Sequence, residues 1–445
     1  MTAAETHLPA ETPTSGASGR DNRASRPSRS LFAQALYDTF GQRGAKLGAA
    51  WVVVLVIIAV FAPFIASSRP YLAKWSDGSL TSPLLAGLNW VDVTLLVAFL
   101  AAVALLIVRR FVKLSFGQIL LGFIGVLCVV APIGYFTIKP PEIDIFKTWR
   151  VAEAEGELTW AVNAPIPFSA NDRLEDIGNS RVIPPWWSAS VKNGVSKVAG
   201  GAISPADQQS IDKIKSVSTS HWLGTTTFGE DMASRMIHAT RVALAIGFIA
   251  TGISTIIGVI YGAIMGYAGG LTDLFMMRFI EIIQAVPRIV LLLIVTVFFG
   301  KNIWLMMVTI GLVSWPGDAR LIRAEFLKLR GQEFVQAANA AGIGLVSILF
   351  RHMLPNGIAP VLVNASFGVA TAILLESILS FLGLGLEATD PSWGQLLNQA
   401  RTGGTGFNWW IATFPGLAIF LTVFSYILIG ESLRDAIDPK TKKAD

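Results

Sequence analysis

Apolar residues along the chain gather into eight long stretches, at about 47–67, 90–108, 117–138, 242–267, 282–300, 303–317, 357–380 and 409–429, separated by polar connections. A helix needs roughly 20 apolar residues to cross a bilayer, so the pattern predicts eight transmembrane helices and an all-α polytopic membrane protein. The sixth stretch is short, and Pro287 and Arg288 interrupt the fifth. Two polar regions stand apart. Residues 1–46 begin with a Ser-, Thr-, Pro- and Arg-rich run almost free of large apolar side chains, a composition that stays disordered. Residues 139–240 carry nearly balanced charge and five tryptophans, Trp149, Trp160, Trp186, Trp187 and Trp222, without a regular period. They are expected to form a small domain outside the membrane.

Charge then orients the chain. Arg20, Arg23, Arg26, Arg29, Arg43 and Lys46 precede the first stretch; Arg109, Arg110 and Lys113 follow the second. Arg278 lies between the fourth and fifth. Arg320, Arg323, Lys328, Arg330 and Arg351 lie between the sixth and seventh, and Lys440, Lys442 and Lys443 end the chain. Lys and Arg in short loops stay on the cytoplasmic side. With eight spans all five groups fall on that one side, and both termini are cytoplasmic. The first apolar run begins only near Leu47 and is too long for the core of a secretory signal.

Composition agrees. The chain is 53% hydrophobic and 15% charged, with a mean hydropathy of +0.57, whereas charged residues make up about a quarter of an ordinary soluble protein. The net charge of +5 belongs to the ends of the apolar stretches and is no nucleic-acid footprint. The single cysteine, Cys128, excludes a disulfide framework.

Between the sixth and seventh stretches, residues 333–355 read as two short helices. The first, Gln332 to Ala341, is rich in alanine, the best helix former, and Gly342 supplies the stop. The second, about Leu345 to Met353, is expected to end at Pro355, which removes a donor and clashes with the preceding turn. Ala337, Ala338, Ala341 and Gly342 leave one face with little bulk, suited to close approach by another surface. Upstream, Glu230 and Asp231 open a helix at its positive end, and Arg235 follows Asp231 at a stabilising four-residue spacing. With the stripe Met232, Met236 and Ile237, this reads either as a helix lying on the membrane surface or as the entry to the next span.

These segments resemble the membrane-spanning permeases of ABC transporters, in particular the DppC/OppC type that carries dipeptides, oligopeptides or nickel. Gln336-Ala337-Ala338, Gly342 and Leu354-Pro355 match the spacing of that family's EAA loop, with Gln336 in place of the Glu and His352 in place of the Ile. His221-Trp222-Leu223-Gly224-Thr225, Gly266-Tyr267-Ala268-Gly269-Gly270, Pro391-Ser392-Trp393-Gly394 and Leu433 to Pro439 continue the likeness in order. It covers about His221 to Lys440. Ser68-Arg69-Pro70-Tyr71 and Ala164-Pro165-Ile166 resemble the Yej-type peptide permeases.

The resemblance implies the permease core of a type I importer, with six helices of which 47–67 is the first. Residues 90–138 are then an inserted transmembrane hairpin, 241–430 the remaining core and 431–445 a cytoplasmic tail. It implies a bacterial cytoplasmic (inner) membrane location and a coupling loop at 333–355 that docks on an ATPase through Glu333, Gln336, Ala337, Ala338, Gly342, Arg351, Leu354 and Pro355. It further implies a homologous second permease subunit, one or two ABC ATPase subunits that bind the ATP and Mg, and an extracytoplasmic substrate-binding protein.

Chemistry of its own is not expected of the chain. Gly300-Lys301 is followed by Asn302, so there is no phosphate-binding loop, and four scattered histidines form no metalloprotease signature. Ionisable residues inside spans are costly and often functional. Asp92 sits at the end of its span, where water or headgroups solvate it. Glu376 either caps a loop or faces the pathway, and Pro287 is a second pathway candidate. Two readings compete: an ATP-driven importer for peptides, nickel or another small solute, and a secondary transporter or membrane anchor for the 139–240 region.

Overall fold

A computed structural model describes residues 37–112, 116–138, 155–173, 221–402 and 408–437, with isolated positions at 148, 149, 152 and 185. The expected disordered run over 1–36, much of the 139–240 region, and the tail from 438 lie outside the described residues. The chain is largely helical: α1 Arg43–Ile65, α2 Trp90–Phe111, α3 Phe116–Thr137, α4 Met232–Ala268, α5 Gly270–Gln284, α6 Arg288–Phe299 and α7 Ile303–Arg330 come first. Then follow α8 Glu333–Ala340 and a composite α9, built of Leu345–Ser347, a wider π turn at Ile348–Met353, and Leu354–Gly357. α10 Ala359–Phe381, α11 Trp393–Thr402 and α12 Trp409–Ile437 complete it. Among the described residues, seven helices are long and apolar enough to cross a membrane, or eight if α5 and α6, bent by 69°, form one span.

Glycine decides how closely the helices approach. A Cβ on Gly258 would lie 2.3 Å from the Cβ of Asp318, on Gly262 2.4 Å from the Ala319 carbonyl oxygen, and on Gly266 2.7 Å from that of Arg323. This repeat of small residues lets two backbones nearly touch, as it does in other membrane helices. Because the contact positions rise together along both helices, α4 and α7 run parallel. α10 runs antiparallel to α4, since Gly247 meets Val369 and Ile373 while Gly368 meets Thr251. α1 runs antiparallel to α12: Gly44 faces Ser432, Gly48 faces Ser425, and Trp51 Nε1 donates to Thr422 Oγ1 at 3.2 Å.

The two ends of the bundle are therefore distinct. At one lie Arg43, Ala268, Arg330, Ile437 and the α8–α9 segment. At the other, β1 Leu72–Trp75 pairs antiparallel with β2 Leu80–Thr81 and with β3 Leu158–Val162, giving the order β2-β1-β3. The sheet thus takes strands from both sides of the α2–α3 hairpin in sequence. Tyr71 hydroxyl donates to the Phe64 carbonyl, fastening the sheet to the end of α1.

Several expectations change. The segment from Met232 to Ile237 is no separate surface helix: it is the first part of α4, which Asp231 caps by accepting from Ser234 N at 2.7 Å. The short sixth stretch continues to Arg330 as one 28-residue helix, on which Arg320, Lys328 and Arg330 are exposed while Asp318 is buried against α4. The fifth is broken between Gln284 and Arg288. Helix continues through Pro355 to Gly357, where proline at a first-turn position forfeits no bond. The core also runs on past residue 430, to the end of α12.

Candidate functional site

The α8–α9 segment is a small elbow with two unlike sides. Val335, Ala338, Ile348, Leu349 and Met353 point inward and are buried with Ala263 of α4, Ile322 and Phe326 of α7, and Val361 of α10. Phe334, Gln336, Ala337, Ala341, Gly342, Leu345, Val346 and Phe350 are exposed. An apolar surface left open at a helix end of this kind marks an interaction site. The elbow itself closes at Gly342, whose φ of +73° favours glycine. Ile343 N reaches back to the Ala338 carbonyl at 3.1 Å, which satisfies an end-of-helix acceptor.

Of the expected docking residues, Glu333, Gln336, Ala337, Gly342, Arg351 and Pro355 lie exposed on the elbow and Leu354 is partly covered. Ala338 differs. It is turned into the bundle, because α8 is amphipathic and three residues after Val335 lie on the same face. Gln336 donates to the Gly331 carbonyl at 3.2 Å, closing the turn between α7 and α8. One further link joins the elbow to a span, and another joins two span ends beside it. Tyr267 hydroxyl donates to Asn339 Oδ1 at 2.7 Å, and Arg330 donates to the Tyr267 and Ala268 carbonyls at 3.0 and 3.2 Å. Arg323 clamps Asp273, joining α7 to α5.

Glu376 is 1% exposed. It accepts from Ser380 Oγ at 2.7 Å and from Ser392 Oγ at 2.6 Å, so it anchors the loop between α10 and α11 and lines neither of the cavities described next. Pro287 does line one, of about 340 Å³, together with Arg288 and Arg320. A second, of about 150 Å³, lies between α4, α7 and α10 and is lined by Asp318, Arg288, Ser254 and Asn364. Asp318 lies one residue beyond the apolar stretch 303–317, and only the helical extension through Trp315 to Arg320 marks it as an acid among small and apolar neighbours.

At the opposite end, a buried ionic knot holds three loops together. Arg235 pairs with Glu230 at 2.7 Å rather than with Asp231, since Asp231 is occupied by Ser234 N and by His221 Nδ1 at 2.8 Å. Arg235 also donates to the Ala388 carbonyl at 3.0 Å and Gln395 Oε1 at 3.2 Å. Burial pushes the Glu230 carboxyl up, against the pull of Arg235. Asp92, expected to meet water, instead accepts from Arg241 of α4.

Comparison with known proteins adds a lineage. A family model described as "Binding-protein-dependent transport system inner membrane component" matches residues 258–443. The oligopeptide transport system permease protein OppC of Haemophilus influenzae is 41% identical over 222 residues, covering 50% of this chain and 71% of that protein. The dipeptide transport system permease protein DppC of Alkalihalophilus pseudofirmus is 37% identical over 237 residues, covering 53% and 78%. A solved structure of the inward-facing MetNI methionine ABC transporter is similar at 18% identity and a TM-score of 0.39, covering 46% of this chain and 98% of that one.

Proposed function

Because the chain belongs to the family of binding-protein-dependent transport system inner membrane components, we propose that it is a permease subunit that moves peptides through the cytoplasmic membrane, driven by separate ATPase subunits. The observation that carries this reading is the two-sided elbow. Its inner side is packed into α4, α7 and α10, so a push on the outer side moves spans directly. Its outer side offers Phe334, Leu345, Val346 and Phe350 to a partner.

Topology supports the same reading. α4 and α7 run parallel, so the chain between them must return across the bilayer, and the bent pair α5–α6 is the segment available for that return. This supports eight crossings, with the elbow at the end that carries Arg43, Lys46, Lys328, Arg330 and Arg351, the end that the positive-inside rule assigns to the cytoplasm. Peptide as cargo rests on the peptide permeases among the relatives. A second permease and an extracytoplasmic binding protein complete the proposed machine.

Val346→Cys, introduced in a Cys128→Ser background and co-expressed with an ABC ATPase subunit that co-purifies with the chain, tests the coupling. A crosslink between residue 346 and that ATPase, tightened or loosened by ATP, is expected. Crosslinking only to extracytoplasmic proteins, or unchanged peptide uptake after deletion of the ATPase, overturns the reading.

A further inference from the structure

Two neighbouring cavities share Arg288. In the smaller one, Asp318 is 5% exposed and forms the back wall. Its oxygens accept from Ser254 Oγ at 2.6 Å and Asn364 Nδ2 at 2.5 Å, which leaves lone pairs unused on both, since a carboxylate accepts about four bonds. Beside it Thr251 is 8% exposed, and its hydroxyl oxygen makes no hydrogen bond. Buried polar groups are normally satisfied. At the mouth stands Arg288, exposed and outside hydrogen-bond reach of the described residues, its guanidinium near enough to act electrostatically on Asp318. Asp318 lies roughly 20 Å from either end of α7, taking 1.5 Å per residue. A guanidinium at such depth is expensive unless it faces water or an acceptor.

The cavity therefore offers an acceptor pair at its back, an unmet hydroxyl at its side and a donor at its mouth. A volume of about 150 Å³ is worth about five waters at roughly 30 Å³ each. That is room for a small polar group such as one end of a peptide. A free peptide amino terminus presents an ammonium and, three bonds away, a carbonyl oxygen, a donor for the acid and an acceptor for the guanidinium. Exposed Thr371 lines the opening, so the cavity is reached from the outer surface of α10, where a second permease subunit would face it.

We propose that this cavity is a station on the transport route that holds the amino-terminal residue of a peptide, its ammonium at Asp318 and Thr251 and its first carbonyl oxygen at Arg288. The assignment rests on the peptide-permease reading above. It adds that the permease itself, and not only a binding protein, checks the free amino terminus.

The test uses the assembled transporter in proteoliposomes, with binding protein and ATP, and a single cysteine, Thr371→Cys in a Cys128→Ser background. The rate of labelling by a cationic methanethiosulfonate reagent is followed with a saturating tripeptide, free or N-acetylated. Several-fold protection by the free peptide and none by the acetylated one is expected. Asp318→Asn, which keeps the shape and one acceptor, should abolish that protection while the complex still assembles. Arg288→Gln, at an exposed position, should weaken it. Equal protection by both peptides, none by either, or full protection in Asp318→Asn overturns the station. Uptake of labelled peptide by the same vesicles separates two failures: no uptake overturns the peptide reading and the station with it, whereas uptake without protection overturns the station alone.

Discussion

The hydroxyl of Tyr267, one residue from the end of α4, donates to Asn339 Oδ1 in α8 at 2.7 Å. A 37-residue helix that reaches the far face of the bundle is thereby fastened to the elbow through a side chain as well as through packing. An exposed hydrogen bond is worth about 1 kcal/mol, too little to hold the fold but enough to bias how tightly two parts move together. Tyr267→Phe is expected to leave the amount of assembled transporter unchanged and to raise the ATP consumed per peptide transported. Unchanged stoichiometry in vesicles would assign the bond no part in coupling.

Gly342 has open space where a side chain would go, but its φ is +73°. A substituted residue there meets backbone strain of roughly 1–2 kcal/mol and, if large, also stands in the way of a docked partner. Gly342→Ala should reduce transport partly, through strain alone. Gly342→Trp should abolish transport and ATPase stimulation while the protein still inserts in the membrane. Equal activity of the two variants in an uptake assay contradicts a docking role for this corner.

The α4–α7 contact gives a control built into one helix. Gly258→Ala sets a methyl 2.3 Å from Asp318 Cβ, whereas nothing lies within 4 Å of a Cβ on Gly252. Overpacking costs about 1–3 kcal/mol, so Gly258→Ala should lower the thermal midpoint of the detergent-solubilised protein by several degrees. Gly252→Ala should match or slightly exceed the unaltered protein, since alanine favours helix. Equal midpoints for the two would place the close approach of α4 and α7 in doubt.

Arg235 and Glu230 form the centre of the knot at the other end. Removing one member of a buried pair costs about 3–5 kcal/mol. Arg235→Met is expected to destabilise by that order, and Arg235→Lys by somewhat less, because lysine keeps the charge facing Glu230 although it lacks the fork that also reaches Ala388 and Gln395. The loss should depend on pH. Burial already raises the Glu230 carboxyl, and Arg235 opposes it; without the guanidinium the folded state binds the proton more strongly than the unfolded chain does. The variant is then most stable below the ordinary glutamate range and loses stability as pH rises from there through the folded value. Thermal melts of Arg235→Met across acid and neutral pH check the sign.

Much of this was legible in the sequence. Apolar length found each long helix, and alanine followed by Gly342 marked the elbow, because both signals are local. What escaped depended on partners distant in sequence. The parallel pairing of α4 and α7 arises from a small-residue repeat, Gly258, Gly262 and Gly266, that reads locally as poor helix. Arg235 meets Glu230 rather than Asp231 because His221, ten residues upstream, already holds Asp231. Ala338 turns inward because Val335 sets the buried face of α8. The cavity at Asp318 needs three helices and the broken turn before Arg288, and no window along the chain contains them all.

The α2–α3 hairpin touches the rest of the molecule along one edge, through Phe99 against Phe61 and through Arg241, which spans Asp92 and the Ala59 carbonyl. Its first and last turns stand side by side, Trp90 and Tyr135 meeting ring to ring at 5.6 Å. A unit whose entrance and exit coincide behaves like a detachable module: excising it and sealing the gap with a few residues disturbs neither the direction nor the order of any crossing that follows, and among the described residues leaves Phe61 without its ring partner and Arg241 without its carboxylate.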